Sequence, residues 1–439
     1  MIVTDVTPTR LFTGDPNYDK FEQEQFRIGY QFEHRFNDAL KVRQNLRYGE
    51  VDLDYRYLLG GIQANTPVVV RAARAIDEST ESFTVDNQIE GKLTTGAVKH
   101  TVIAGLDYQH FALDSVTFGG PFNLPLNVNN PVYGLNIPKP TGVLASGTQI
   151  AEQTGLYAQD QAKLDNWIVT FGGRYDWATM DSLNRINNGL TKSDDEAFTG
   201  RAGLMYLFDF GLAPYASYSE SFLPTTGTDR NSNPFEPTTG QQYEVGIKYE
   251  PLGTRSRFTL AAFDITQQKV LTLDPIQAGS CAPSCRTQIG EVSSRGIEAE
   301  ASASLTEGLE LIATYTLMDI EVTKSTPQQR NLGKVPTVTP EEMASIFADY
   351  TFHSGPLAGF GFGGGVRYIG ETYMDAANTR TNDAYAVADA TLRFDFDAST
   401  RWQLNVSNLF DYEEATCTTA GGCQYISPQI VTSTVRYRW

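Results

Sequence analysis

Short and long connections alternate along this chain, and the segments that they join are runs in which apolar and polar residues take turns. The final run, I-V-T-S-T-V-R-Y-R-W from Ile430, puts Val431, Ser433, Val435, Tyr437 and Trp439 on one side and Thr432, Thr434, Arg436 and Arg438 on the other. Successive side chains of a strand point to opposite faces, so this is a strand with one oily and one wet side. In a soluble sandwich the oily side turns toward a core. In a transmembrane barrel it faces lipid, and the charged side faces a watery lumen.

The number of such runs and the links between them decide which. The first run, Gln25 to Phe36, sets Phe26, Ile28, Tyr30, Phe32 and Phe36 against Arg27, Gln31, Glu33 and Arg35. A second begins at Leu40 and reaches about Leu58, longer than the five or six residues usual in soluble sheets. The pattern recurs at 68–94, 97–118, 149–164, 166–180, 196–208, 212–222, 240–250, 255–274, 287–305, 308–323, 341–352, 359–371, 384–396, 400–410 and 429–439. That makes about seventeen strands, with ends uncertain by a few residues. After odd-numbered strands the links are brief, as in F-N-D-A, L-D-N and D-A-S-T; after even ones they are long, as in 119–148, 181–195, 223–239, 275–286, 324–340, 372–383 and 411–428. Outer-membrane barrels have short periplasmic turns and long outer loops in this way. No blade or coil repeat of the kind that builds propellers and solenoids is present.

Composition fits this reading. The 439 residues include 22 Tyr, 24 Phe and 38 Gly, which suits twisted strands and interfacial rings. No stretch approaches the roughly 18 apolar residues of a membrane helix. Mean hydropathy is −0.31. The net charge of −18 argues against duplex nucleic acid, whose phosphates need a basic face. Trp167, Tyr175, Trp177, Trp402 and Trp439 are expected near strand ends, as an interfacial girdle. Cys281 with Cys285, and Cys417 with Cys423, are two local pairs that suggest disulfides and an oxidising compartment; zinc is the alternative, but neither pair has a histidine beside it. No secretory signal is visible at Met1, so either one has been removed or the chain starts inside a longer protein.

Several stretches resemble the TonB-dependent siderophore receptors. They are G-L-Y-A-Q-D-Q-A-K-L-D-N-W-I-V-T-F-G-G-R-Y-D from Gly155, P-Y-A-S-Y-S-E-S-F-L-P from Pro214, P-F-E-P-T-T-G-Q-Q-Y-E-V-G-I-K-Y-E from Pro234, E-V-S-S-R-G-I-E-A-E from Glu291, and N-V-S-N-L-F-D-Y with the terminal Trp439. The cysteine pair of the last outer loop, followed by an aromatic and a strand ending Y-R-W, is similar to the ferrichrome and ferrioxamine branch. The resemblance implies an all-β, antiparallel transmembrane barrel in the cell outer membrane, with about 17 of an expected 22 strands in residues 1–439. It implies a ferric siderophore of hydroxamate type as cargo, no resident cofactor, and energy delivered by TonB through a plug domain that these residues do not contain. A passive pore or a receptor barrel that no longer transports is the alternative.

No catalytic constellation is legible. His34, His100, His110 and His353 are scattered, and Asp194-Asp195-Glu196 reads as a solvated loop or, as the alternative, a calcium site. A compact, largely neutral ferric hydroxamate calls for aromatic surfaces with a few hydrogen-bonding groups. The candidates at outer loops and strand mouths are Phe118, Phe122, Tyr133, Phe222, Phe235, Tyr373 and Tyr425, with loop packing or interfacial anchoring as the plain alternative for each. Lumen arginines such as Arg174 and Arg436 are expected as wall residues whose carboxylate partners belong to the plug.

Overall fold

The computed structural model describes residues 11–62, 66–231, 233–274, 285–288, 290–325, 331–418 and 422–439. None of these is helical, and one sheet of 18 strands dominates. One member is the four-residue Leu124–Asn127, laid on the upper end of a longer strand. The other seventeen form one antiparallel meander: β1 (Lys20–Arg35), β2 (Leu40–Ile62), β3 (Val68–Thr95), β4 (Val98–Gly119), β5 (Val143–Leu164), β6 (Trp167–Asn184), β7 (Gly189–Tyr206), β8 (Leu212–Leu223), β9 (Thr238–Tyr249), β10 (Arg257–Gln268), β11 (Glu291–Thr306), β12 (Leu309–Lys324), β13 (Glu342–Thr351), β14 (Phe360–Ile369), β15 (Tyr385–Asp395), β16 (Thr400–Ser407) and β17 (Ile430–Tyr437). The ends do not meet. Among the described residues β1 pairs only with β2, and β17 only with β16.

One row of each strand is apolar and exposed, as lipid-facing side chains must be. Phe26, Ile28, Tyr30 and Phe32 mark it on β1, Trp167, Val169, Phe171 and Trp177 on β6, and Tyr243, Val245 and Ile247 on β9. At the short-turn end the rings form a belt. Trp167 meets Tyr206, Tyr206 meets Phe208, and Phe208 meets Phe210, with centroids 4.8, 4.7 and 5.4 Å apart. Trp402 and Trp439 lie at this end too. Tyr175 and Trp177 do not end their strand, which continues to Asn184. They mark the other interface. The ten residue-to-residue steps from Trp167 to Trp177, at roughly 3.3 Å each and a tilt of about 45°, rise roughly 23 Å, close to the height of an apolar membrane band.

Above that level the strands run on through water. β3 has 28 residues, where about ten cross a membrane. The stretch expected as a long loop at 181–195 is mostly strand: β6 and β7 pair up to Asn184 and Gly189, leaving only residues 185–188 as a turn. Asp194, Asp195 and Glu196 therefore sit on β7, where alternation sends the middle carboxylate to the opposite face from its neighbours. They cannot converge on one cation.

The lumen row is held by a recurring tie in which a long side chain reaches two strands away across a glycine. Next-but-one strands lie roughly 9.6 Å apart, so the side chain must lie flat on the strand between. Arg174 on β6 pairs with Asp107 on β4 and with its own strand's Asp176, Nη2 to Oδ1 2.6 Å, crossing Gly155 on β5. A Cβ at Gly155 would stand 1.9 Å from Arg174 Nη2. Likewise Tyr157 Oη on β5 donates to Asp86 on β3 at 2.7 Å across Gly105, and Arg393 on β15 reaches Asp349 on β13 across Gly361. Asp176 is only 2% exposed, so losing its partner would leave a buried charge uncompensated.

Replacing Gly155 by Val is expected to expel Arg174 from this tie and destabilise the sheet by about 3 kcal/mol. Gly91→Ala, at a position with nothing within 4 Å of the added carbon, should change stability by less than about 0.5 kcal/mol. Urea unfolding in lipid, followed by tryptophan emission, measures both; equal effects would remove the tie's energetic role.

Candidate functional site

The candidate aromatics occupy three stations around the outer rim, and no ring contact joins two of them among the described residues. The first station is on β2–β4, where the segment 11–19 and the loop 120–142 fold against the projecting strands. Arg71, fully buried, donates to the carbonyls of Thr13, Gly14 and Leu124 at 3.0, 2.8 and 3.2 Å. Buried Asp15 accepts the N–H groups of Gly134 and Leu135 at 3.2 and 3.1 Å. Tyr133 is thereby fixed beside Phe12, its hydroxyl donating to the Phe12 carbonyl at 2.8 Å. Phe122 lies under the Arg74 guanidinium at 5.5 Å. Phe118 lies under Lys139 at 5.2 Å, and Lys139 also bonds Asp77 at 2.6 Å. By strand alternation Asp77 continues the row that lower on β3 carries Phe83 and Ile89, so Phe118 stands on the outward side of the crown.

At the second station Phe222 is half-buried on β8 opposite Thr239. Phe235 is 6% exposed and packs on Gly227, whose φ of +98° folds the loop back on itself. It is the small core of its own loop. Gln288 closes the station by donating to the carbonyls of Glu236 and Lys269 at 2.5 and 3.0 Å.

The third station holds Tyr373 and Tyr425 on neighbouring hairpins. Thr372–Tyr373 pairs with Thr381–Asn382, and Ala415–Thr418 pairs with Gly422–Tyr425. The second hairpin is closed by the Cys417–Cys423 disulfide, S–S 2.00 Å, as the spacing suggested. Cys281 lies outside the described residues; Cys285 is buried and disulfide-bonded. Tyr425 is 42% exposed and therefore available to a ligand. Asn378, Asn382 and Asn408 hold these loops, and nothing in the spacing of those residues pointed to them: a side-chain amide in a loop is common, and its partner is set by the fold.

Inside the wall, Asp86, Gln88, Tyr157, Arg174, Arg201 and Glu220 border a depression of about 600 Å³. The expectation that Arg174 awaits a carboxylate from elsewhere is overturned, because the wall itself supplies Asp107 and Asp176. Arg436 has no ion pair among the described residues and faces Arg401 in register. His100 lies between Thr95 Oγ1 and Asp160 Oδ2, 2.7 Å from each, and so straps the β3–β4 turn to β5. His110 meets Glu152 at 3.3 Å. Among the described residues no three His, Cys, Asp or Glu side chains converge as metal ligands.

A lipid-facing meander with paired aromatic belts, an ion-lined lumen and tied outer loops is the wall of an outer-membrane barrel. Residues 3–409 match the family model described as TonB dependent receptor-like, beta-barrel, and the chain belongs to that family. It is 37% identical over 98% of its length to the "Ferrichrome outer membrane transporter/phage receptor" of Escherichia coli K12, and 34% identical over 97% to the "Ferrioxamine B receptor" of Salmonella typhimurium. It spans 60% of the length of each of those relatives. The siderophore receptor PiuA from Acinetobacter baumannii has the same fold, with a TM-score of 0.83 at 21% identity, over 97% of this chain and 66% of that one. Family membership places the protein in the outer membrane.

Asp375 organises the loop that carries Tyr373. Burial pushes its carboxyl pKa up, but the Thr379 N–H and hydroxyl and the N–H groups of Ala377 and Arg380 outweigh this and hold it below the usual carboxylate range. A depressed folded pKa adds stability above the unfolded pKa, and that stability is lost as the pH falls through the folded value. The 375–380 turn is therefore expected to be ordered at neutral pH and to loosen in acid below the carboxylate range. Amide exchange at Thr379 and Arg380, corrected for intrinsic rates, reads this; Asp375→Asn should remove most of the pH dependence.

Proposed function

We propose that this chain forms the wall and outer loops of a receptor that takes up a ferric siderophore, of hydroxamate type, with energy delivered by TonB through a plug domain in the lumen. The observation that carries the reading is the third station, where a disulfide-closed hairpin presents Tyr425 next to the hairpin of Tyr373 above a polar, self-paired lumen. Flat apolar rings with backbone groups nearby suit a compact, largely neutral iron chelate better than a charged one. Two relatives carry ferrichrome and ferrioxamine B in their names, which supports a ferric hydroxamate as the cargo class here. Ties such as Arg174 with Asp107 and Asp176 neutralise part of the lumen surface that a domain seated there would meet.

Residues 1–439 are proposed to be the barrel portion of the receptor, with further strands closing the seam. β1 and β17 run in the same direction, so an antiparallel closure takes an odd number of added strands; five would make 22. The two open edges favour one second reading, a leaky barrel that does not transport.

Binding of a ferric hydroxamate to outer membranes containing the protein separates the two. Binding that weakens by roughly 1–2 kcal/mol on Tyr425→Ala is expected for a buried ring anchor. Steady ion conductance in planar bilayers, with no siderophore binding, would establish the leaky barrel instead. Phe118→Ala, on the outward side, is expected to change affinity less than Tyr425→Ala does.

A further inference from the structure

A primary amide has the same donor and acceptor spacing as a peptide group, so an asparagine can bond both backbone groups of a single residue, as a neighbouring strand would. Two loop asparagines do this across loop boundaries. Asn378 Oδ1 accepts the Val335 N–H at 2.8 Å, and its Nδ2 donates to the Val335 carbonyl at 2.9 Å. Asn382 Oδ1 accepts the Cys417 N–H at 2.7 Å, and its Nδ2 donates to the Cys417 carbonyl at 3.1 Å and to Thr372 Oγ1 at 3.0 Å. The first clasp joins the β12–β13 loop to the β14–β15 loop; the second joins that loop to the β16–β17 loop. Asn382 is 5% exposed, so water cannot readily replace its partners.

Other contacts strengthen the chain of clasps. The Val338 N–H donates to the Tyr373 carbonyl at 2.9 Å, so the first joint includes the backbone of a candidate ligand residue itself. Asn378 sits at φ +56°, a left-handed conformation that asparagine tolerates and that aims its amide at Val335. In the last loop Asn408 makes the same two-bond clasp within its own turn, to Tyr412 at 2.8 Å each way, and also donates to the Ser427 carbonyl at 3.1 Å.

We infer that the described parts of the outer loops following β12, β14 and β16 move as one body, and that Asn378 and Asn382 are the positioning residues that hold Tyr373 and Tyr425 at a fixed separation for the cargo. Neither asparagine touches the cargo. The ligand part of this inference rests on the siderophore reading; the single-body part does not. Loops held in one arrangement lose less freedom on binding, so uncoupling them should cost affinity while leaving the translocation step alone.

Spin labels at Thr337 and Gln424, in the protein in outer membranes, test the single body without any cargo. A narrow distance distribution is expected, broadening in both Asn378→Ala and Asn382→Ala. A broad distribution in the unmodified protein, or an unchanged one in both variants, overturns the inference. In uptake assays with a ferric hydroxamate, Asn382→Ala should raise KM on the order of tenfold with kcat unchanged. Asn382→Asp keeps the acceptor for the Cys417 N–H and loses the donor, so it should fall between the two and remains informative if the alanine variant fails to assemble. Equal loss of kcat in both variants would assign Asn382 to folding and refute its positioning role. Narrow distances with no binding by the unmodified protein would leave the single body standing and sink only the siderophore reading.

Discussion

Every backbone donor and acceptor within the lipid band must find a partner in the protein, because hydrocarbon offers none. The meander satisfies this with antiparallel ladders nearly free of register breaks; shifts interrupt the pairing at β4–β5 and at the two ends of β11–β12. All else depends on that continuity. It forces one row of each strand toward lipid and the other toward water, and it places a lumen side chain beside those of its neighbours at fixed offsets. The ties over Gly155, Gly105 and Gly361 exist only because register holds donor, glycine and acceptor in line. The same demand makes the edges of β1 and β17 the weakest part of the sheet.

The strands that cross lipid were legible because an apolar row is imposed there by the solvent itself. Phe26, Ile28, Tyr30 and Phe32 alternate with charged or polar residues or glycine for no other reason. Where strands rise into water on both sides, that pressure ends and the pattern ends with it. S-D-D-E on β7 and D-S-L-N on β6 read as loop, although the backbone continues as strand. Likewise the partner of Arg174 was misread, since the pairing depends on a glycine one strand away and not on any local motif. The aromatic residues of the rim were identifiable as rings near a mouth, but not their orientation: Phe235 turned inward to its own loop, Phe118 outward, and Tyr425 stayed accessible.

The rim is held by two different chemistries. At the β2–β4 side one buried guanidinium and one buried carboxylate collect backbone groups from segments distant in sequence. At the β12–β17 side neutral amides do it one residue at a time, with a disulfide closing the last hairpin. Charged hubs of the first kind are costly to part, since each leaves an ion without compensation. Amide clasps carry no net charge, so parting one strands a polar group and not an ion.

The length of β3 has a consequence for how the outside world meets this protein. Twenty-eight residues at the barrel tilt climb roughly 65 Å, and subtracting a band of roughly 25 Å leaves a blade that stands roughly 40 Å clear of the lipid. Whatever approaches the cell from outside therefore meets the top of the blade well before it reaches the membrane plane.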